Sequence, residues 1–138
     1  MTQLLELRGV VEAPPDAVAG LLLDVRPGGR SPIAAGGDAE DDGGDRLVVV
    51  RDGSRLTVTI DRGAREVTEQ SEWWFRSTTA VEADPRGSLV VHRIFNVADG
   101  NGRAIRFLAR GPVNAAPQRF AEALRRLGEE LGVAAWLL

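Results

Sequence analysis

Glu72-Trp73-Trp74-Phe75-Arg76-Ser77-Thr78-Thr79-Ala80-Val81-Glu82 and Ser88-Leu89-Val90-Val91-His92-Arg93-Ile94-Phe95-Asn96-Val97 are two β-type runs joined by Ala83-Asp84-Pro85-Arg86-Gly87. The Asp-Pro step and the glycine make the joint a turn, so residues 72–97 read as a hairpin. Pairing Val81 with Leu89 continues as Thr79 with Val91, Ser77 with Arg93, Phe75 with Phe95 and Trp73 with Val97. That face is apolar at nearly every rung, with Ser77 and Arg93 as the interruptions. The opposite face carries Trp74, Arg76, Thr78, His92 and Asn96 and is mixed. Side chains alternate between faces, so a slip of one residue exchanges the two sets. The apolar face is expected to look inward, covered by the rest of the chain.

Working upstream, residues 46–51 and 54–61 are strands joined by Asp52-Gly53, a strong hairpin signal. That turn pairs Val49 with Leu56 and Leu47 with Val58 on the buried face. Arg62-Gly63 turns the chain into residues 64–69, with Val67 inward and Glu69 able to follow it. Residues 25–45 hold two prolines, many glycines and the acids Asp38, Glu40, Asp41, Asp42 and Asp45. A loop of this length is a lid, a binding loop or a disordered segment. Its acidic run resembles a calcium loop only faintly, because Val49 stands where a bidentate Glu is needed. Residues 2–11 form a first strand. Pro14, Pro15 and Asp16 then suit the first turn of a short helix over 16–24, where a missing N–H costs nothing. Val18, Leu21 and Leu22 are its buried stripe.

Downstream, residues 99–102 end the sheet, and residues 103–110 fit either a last strand or an irregular lead-in. Pro112 and Pro117 bracket a helix start. From 117 to 131 the spacing of Phe120, Leu124, Leu127 and Leu131 is helical, with charges elsewhere. Gly132 fits a C-cap. The apolar tail 133–138, with Trp136, either packs back or meets a partner, a homodimer through the tail among the possibilities.

The composition excludes several chemistries. A net charge of -3 and a pI near 5.2 give no basic surface for nucleic acid. All 17 basic residues are Arg, so lysine Schiff-base chemistry is absent. Without Cys there is no disulfide or thiolate site, and a single His cannot build a His-rich metal centre. No cofactor is implied. The first residues lack the pattern of a signal peptide, and no run is long enough for a membrane span, so a cytoplasmic location is the expectation.

Val10-Val11-Glu12-Ala13-Pro14-Pro15-Asp16-Ala17-Val18, then Leu21-Leu22-Leu23-Asp24, is a strand ending in an Ala-Pro step followed by a short helix ending in Asp. With the turn at 84–90 and the closing 120–131 helix, this resembles the START-related and polyketide cyclase/dehydrase superfamily. The resemblance implies one α+β domain over residues 1–138 with the helix-grip fold. In that fold a curved antiparallel sheet of six or seven strands wraps a long C-terminal helix, and a short helix follows the first strand. The second short helix usual there is not evident, and residues 25–45 occupy its place. The resemblance also implies a cavity between sheet and helix for a small apolar or aromatic molecule. A polyketide cyclase, aromatase or dehydratase type of enzyme is the alternative, with Arg93 polarising an oxygen. A protein-interaction module with a filled core, using Trp74 or the tail, is a third.

Arg93 is the sharpest candidate for ligand contact, since a buried guanidinium needs an acid, water or an anionic ligand. A structural ion pair, for instance with Glu69, is the competing reading. Ser77 opposite it would bond a ligand or Arg93. Trp73, Phe75, Phe95 and Val91 would line the wall against Phe120 and Leu124, as pocket or as ordinary core. Glu69 is a candidate acid/base group if buried. His92, the one neutral-pH proton carrier by type, is turned by this register to the outer surface. No Gly-x-Ser-x-Gly elbow exists, and the Gly-rich segments lack the Lys of a phosphate loop.

Overall fold

The computed structural model describes residues 1–34, 38–41, 44–51, 53–98 and 102–138. Ten elements follow in the order β1 (Thr2–Val11), α1 (Pro15–Leu22), β2 (Asp38–Asp41), β3 (Arg46–Arg51), β4 (Ser54–Asp61), β5 (Glu66–Ser71), β6 (Phe75–Asp84), β7 (Gly87–Asn96), α2 (Gly102–Leu131) and β8 (Ala135–Leu137). The strands make one sheet in the order β2-β3-β4-β5-β6-β7-β1-β8, with every neighbouring pair antiparallel. The fold is α+β of the helix-grip type, with eight strands among the described residues in place of six or seven. The two additions are short edge strands. β2 arises from the acidic loop, and β8 arises from the apolar tail, which pairs with Val11, Val10 and Gly9.

Local chemistry explains most of these elements. α1 begins with Pro14 as its N-cap residue and Pro15 at the first helical position, where proline's fixed φ suits the helix. It buries Val18, Leu21 and Leu22. The Leu47–Val58 and Val49–Leu56 pairs form as the turn chemistry predicts, although Asp52 itself lies outside the described residues. So do Asp42 of the acidic loop and residues 99–101. Glu40 and Asp45 are engaged by arginines, Arg55 at 2.8 Å and Arg62 at 2.9 Å.

α2 starts fifteen residues before the expected point and runs through Pro112 and Pro117. Each internal proline removes one backbone bond and costs about 3 kcal/mol. Burial of Ile105, Ala109, Ala116 and Phe120 offsets that cost. Tertiary packing thus overrides the local break signal. The helix ends as predicted: Gly132 has φ +67, and Val133 N–H donates to the Gly128 carbonyl at 3.0 Å, the Schellman arrangement.

The core lies between the inner sheet face, α1 and the second half of α2, with Leu22, Leu47, Leu124, Leu127, Val11 and Val67 essentially sealed from solvent. Each such aliphatic side chain contributes roughly 1.5–3 kcal/mol. A second cluster joins Trp74, Ile105 and Ala109 near the start of α2. Among the described residues no helix is long and apolar enough to cross a membrane.

Gly9 decides how closely α2 approaches the sheet. A Cβ there would lie 2.3 Å from Cδ1 of the buried Leu124. Gly9→Val is therefore expected to destabilise the fold by about 1–3 kcal/mol, the usual range for overpacking, read as a lowered urea midpoint with an unchanged slope.

Candidate functional site

The β6–β7 register is one step away from the one the pattern suggests. Asp84 pairs with Gly87, leaving Pro85-Arg86 as a two-residue turn. The Asp84 carboxylate accepts the Arg86 backbone N–H at 2.9 Å, and Gly87 adopts φ +127, open to glycine at little cost. The pairs are then Val81 with Val90, Thr79 with His92, Ser77 with Ile94 and Phe75 with Asn96. Every β7 side chain has exchanged faces relative to the expectation.

This corrects several expected site residues. Arg93, Val91 and Phe95 lie on the outer face. Arg93 pairs there with Glu6 of β1, Nε to Oε1 at 2.7 Å, and that bond holds the Glu6 carboxyl below its usual range. Arg93 is thus a structural ion pair with Glu6, not Glu69. Trp73 is 60% exposed, because β5 ends at Ser71 and β6 starts only at Phe75. The Ser71 hydroxyl accepts the Phe75 N–H at 3.1 Å, so 72–74 is a turn and not strand. Trp74, expected on the mixed face, is buried edge-on against Phe75, with ring centroids 5.5 Å apart. Leu124 is core against Gly9 and not cleft wall.

What remains inward surrounds a cleft of about 920 Å³. Its floor is Val67 and Glu69 of β5, Phe75, Ser77 and Thr79 of β6, and His92 and Ile94 of β7. Its roof is α2, through Pro112, Ala115, Ala116, Phe120 and Ala123. Pro32, Ile33 and Ala34, after α1, form a side wall. The space has a simple origin. α2 packs chiefly on β1 and β8, drawn in by the contact of Leu124 with Gly9. Farther across the sheet, small alanines of α2 face Ser77 and Thr79, and the gap does not close. The exposed Gln118, Arg119, Glu122, Arg125 and Arg126 rim the opening. Arg125 Nε bonds Glu122 at 2.9 Å and holds its carboxyl below the usual range.

Of the expected ligand-contact residues, Ser77, Phe75, Glu69 and Phe120 therefore share the cleft. His92 is the one missed. Its Nδ1 lies 2.9 Å from Thr79 Oγ1, and its ring stacks on Phe120 at 5.8 Å between centroids and 21° between planes. Burial pushes its pKa down to about 4, so the imidazole is neutral at pH 7. Neutral imidazole at a cleft wall can donate from one nitrogen and accept at the other, or move a proton. Two signals for it were available. One is the Asp-Pro-x-Gly turn chemistry. The other is the alternation of Leu5, Leu7 and Val11 against Glu6 and Arg8 in β1, which sets Glu6 opposite Arg93 once β1 and β7 are known to pair.

No family model matches the sequence, and a search of curated proteins finds no significant match. Solved structures do resemble the chain. A Thermobifida fusca protein solved by NMR superposes with a TM-score of 0.63 at 20% identity, covering 92% of this chain and 93% of its own. Bacillus halodurans protein BH1534 gives 0.59 at 14% identity, covering 92% of this chain and 99% of its own. KanY protein gives 0.59 at 16% identity, covering 96% and 99%. At such identities the likeness is one of fold.

The buried histidine has a pH consequence. Its folded pKa is depressed below the unfolded value near 6.5, so the unfolded chain binds the extra proton first. Stability is full above about pH 6.5 and falls as pH drops toward 4. Between pH 7 and 5 the loss is expected to be about 2 kcal/mol, from two-state linkage with these pKa values. Glu6, Asp84 and Glu122 are held low by Arg93, Arg86 and Arg125 and titrate below this window. Urea midpoints at the two pH values should separate in the natural chain and converge in His92→Phe, since this is the only histidine.

Proposed function

We propose that the protein binds a small apolar or aromatic molecule in the cleft between the sheet and α2. The observation that carries this reading is the cleft itself. A space of about 920 Å³ with an aromatic and aliphatic wall, a few polar groups on its floor and charged side chains at its rim has the form of a small-molecule site. Apolar wall comes from Val67, Phe75, Ile94 and Phe120, and orienting polarity comes from Ser77 and the Thr79–His92 pair. The resemblance to the START-related and polyketide cyclase/dehydrase superfamily supports the same reading.

A second reading has one observation in its favour. A neutral histidine shares the cleft with Glu69, and a pair of titratable groups on one wall is what general acid–base chemistry needs. An enzyme of the cyclase, aromatase or dehydratase kind would use them on a bound polyketide-like chain. The open cleft weighs against a protein-interaction module with a filled core.

Native mass spectrometry of protein purified from its own host tests the first reading. A retained small molecule is expected. It should be lost in Ala115→Phe, which fills the cleft from a half-buried helix position while leaving the thermal midpoint within a few degrees. Clean protein from the host, or a species held equally by both proteins, would count against a ligand in this space.

A further inference from the structure

Thr79 and His92 face each other across β6 and β7, on the floor of the cleft. Which of the two donates in their 2.9 Å contact decides what the histidine offers a ligand. Thr79 is 3% exposed, and His92 Nδ1 is its hydroxyl's partner among the described residues. If Nδ1 carried the proton, the threonine hydrogen would be buried without an acceptor, which costs about 1–3 kcal/mol as a rule. If the hydroxyl donates, Nδ1 is the acceptor and the ring proton sits on Nε2. Stacking on Phe120 holds the ring in that plane. Among the described residues, the buried side-chain polar atom left without a partner is Arg76 Nε, in a strand register that points away from the cleft. Among the described residues no hydrogen bond to His92 Nε2 is found, and His92 lines the cleft.

Resting on the cleft as a ligand site, we infer that Thr79 locks His92 as the Nε2–H tautomer, and that this donor selects apolar or aromatic molecules bearing an uncharged carbonyl oxygen. An anionic oxygen fits poorly at this point. It would be desolvated against Ile94, Phe120 and a neutral ring with no counter-charge from His92, while the arginines of the lining, Arg119, Arg125 and Arg126, are exposed at the rim. A ketone, ester or amide oxygen needs only one donor, and Nε2–H supplies it. His92 is then a specificity-determining residue and Thr79 a positioning residue acting through it.

Two measurements test this. The chain has one histidine, so its imidazole nitrogens can be read without ambiguity in a long-range ¹H–¹⁵N NMR spectrum at pH 7. Protonated Nε2 and bare Nδ1 are expected, and a bare Nε2 overturns the inference whatever binds. The second measurement is the affinity for a matched probe pair, 2-acetylnaphthalene and 2-isopropenylnaphthalene, which differ by C=O against C=CH2. The ketone is expected to bind roughly tenfold tighter, the discrimination one neutral hydrogen bond supplies, and the preference should vanish in His92→Phe. Thr79→Val should weaken the preference and mix the tautomers; an undiminished preference there overturns the lock. Equal binding of the probes to the natural chain overturns the inference and leaves the cleft a ligand site. If neither probe binds and the host protein carries no retained molecule, the cleft reading falls and takes the inference with it.

Discussion

Between Asp84 and Gly87 the chain reverses in two residues, and the Arg86 N–H bonded to the Asp84 carboxylate holds that reversal in place. The turn sets the parity of the whole hairpin. With it, even-numbered residues of β7 look toward α2, and odd-numbered ones look outward. The outward set finds its own partners, since Arg93 meets Glu6 on β1, and Thr78 and Arg76 lie beside Arg93 and Phe95. The inward set places Val90 in the core and His92 and Ile94 in the cleft. The turn is also anchored. Ser88 Oγ donates to the Ala13 carbonyl at 2.6 Å, and a Cβ on Gly87 would crowd Val11 and Ala13. The start of α1 and the hairpin are thereby tied together.

The second constraint is where α2 is allowed to come close. Gly9 removes a side chain from β1 at the point where Leu124 arrives, and Gly128 does the same beneath Val133 and Ala135. The helix is drawn in along β1 and β8. It is not drawn in over β5 and β6, where alanines above meet serine and threonine below. A close-packed interior tolerates few voids, so a persistent cleft needs such a structural cause. Here the cause is the mismatch between a glycine on one side and small side chains on the other.

Charge is distributed to match. Arginines that pair with acids on the outer face, at loops and along the rim include Arg55, Arg62, Arg86, Arg93 and Arg125. Such exposed pairs contribute little individually. Inside the cleft the histidine is kept neutral by burial. The structural neighbours share the architecture at 20% identity or less, and an architecture hosts many functions. Any function therefore lies in particular side chains rather than in the architecture.

Elements dominated by local chemistry were legible in the chain. These include the Pro-Pro-Asp start of α1, the β3–β4 pairing, the inward Val67 and the Gly132 cap. Composition alone also ruled out thiolate and lysine chemistry. Glu69, Ser77, Phe75 and Phe120 could be named as cleft residues because their faces do not depend on the β7 register. Arg93, Val91, Phe95 and His92 could not be placed, because β7 alternates two sets that are each plausible inside, and one residue of turn length chooses between them. The first half of α2 and the strands β2 and β8 were hidden for a related reason. Their local signals are weak or contrary, and they form because neighbours distant in sequence supply packing and hydrogen bonds. Local preference is written residue by residue, whereas facing, closure and the volume left open are properties of contacts between segments. Only the folded chain could decide those.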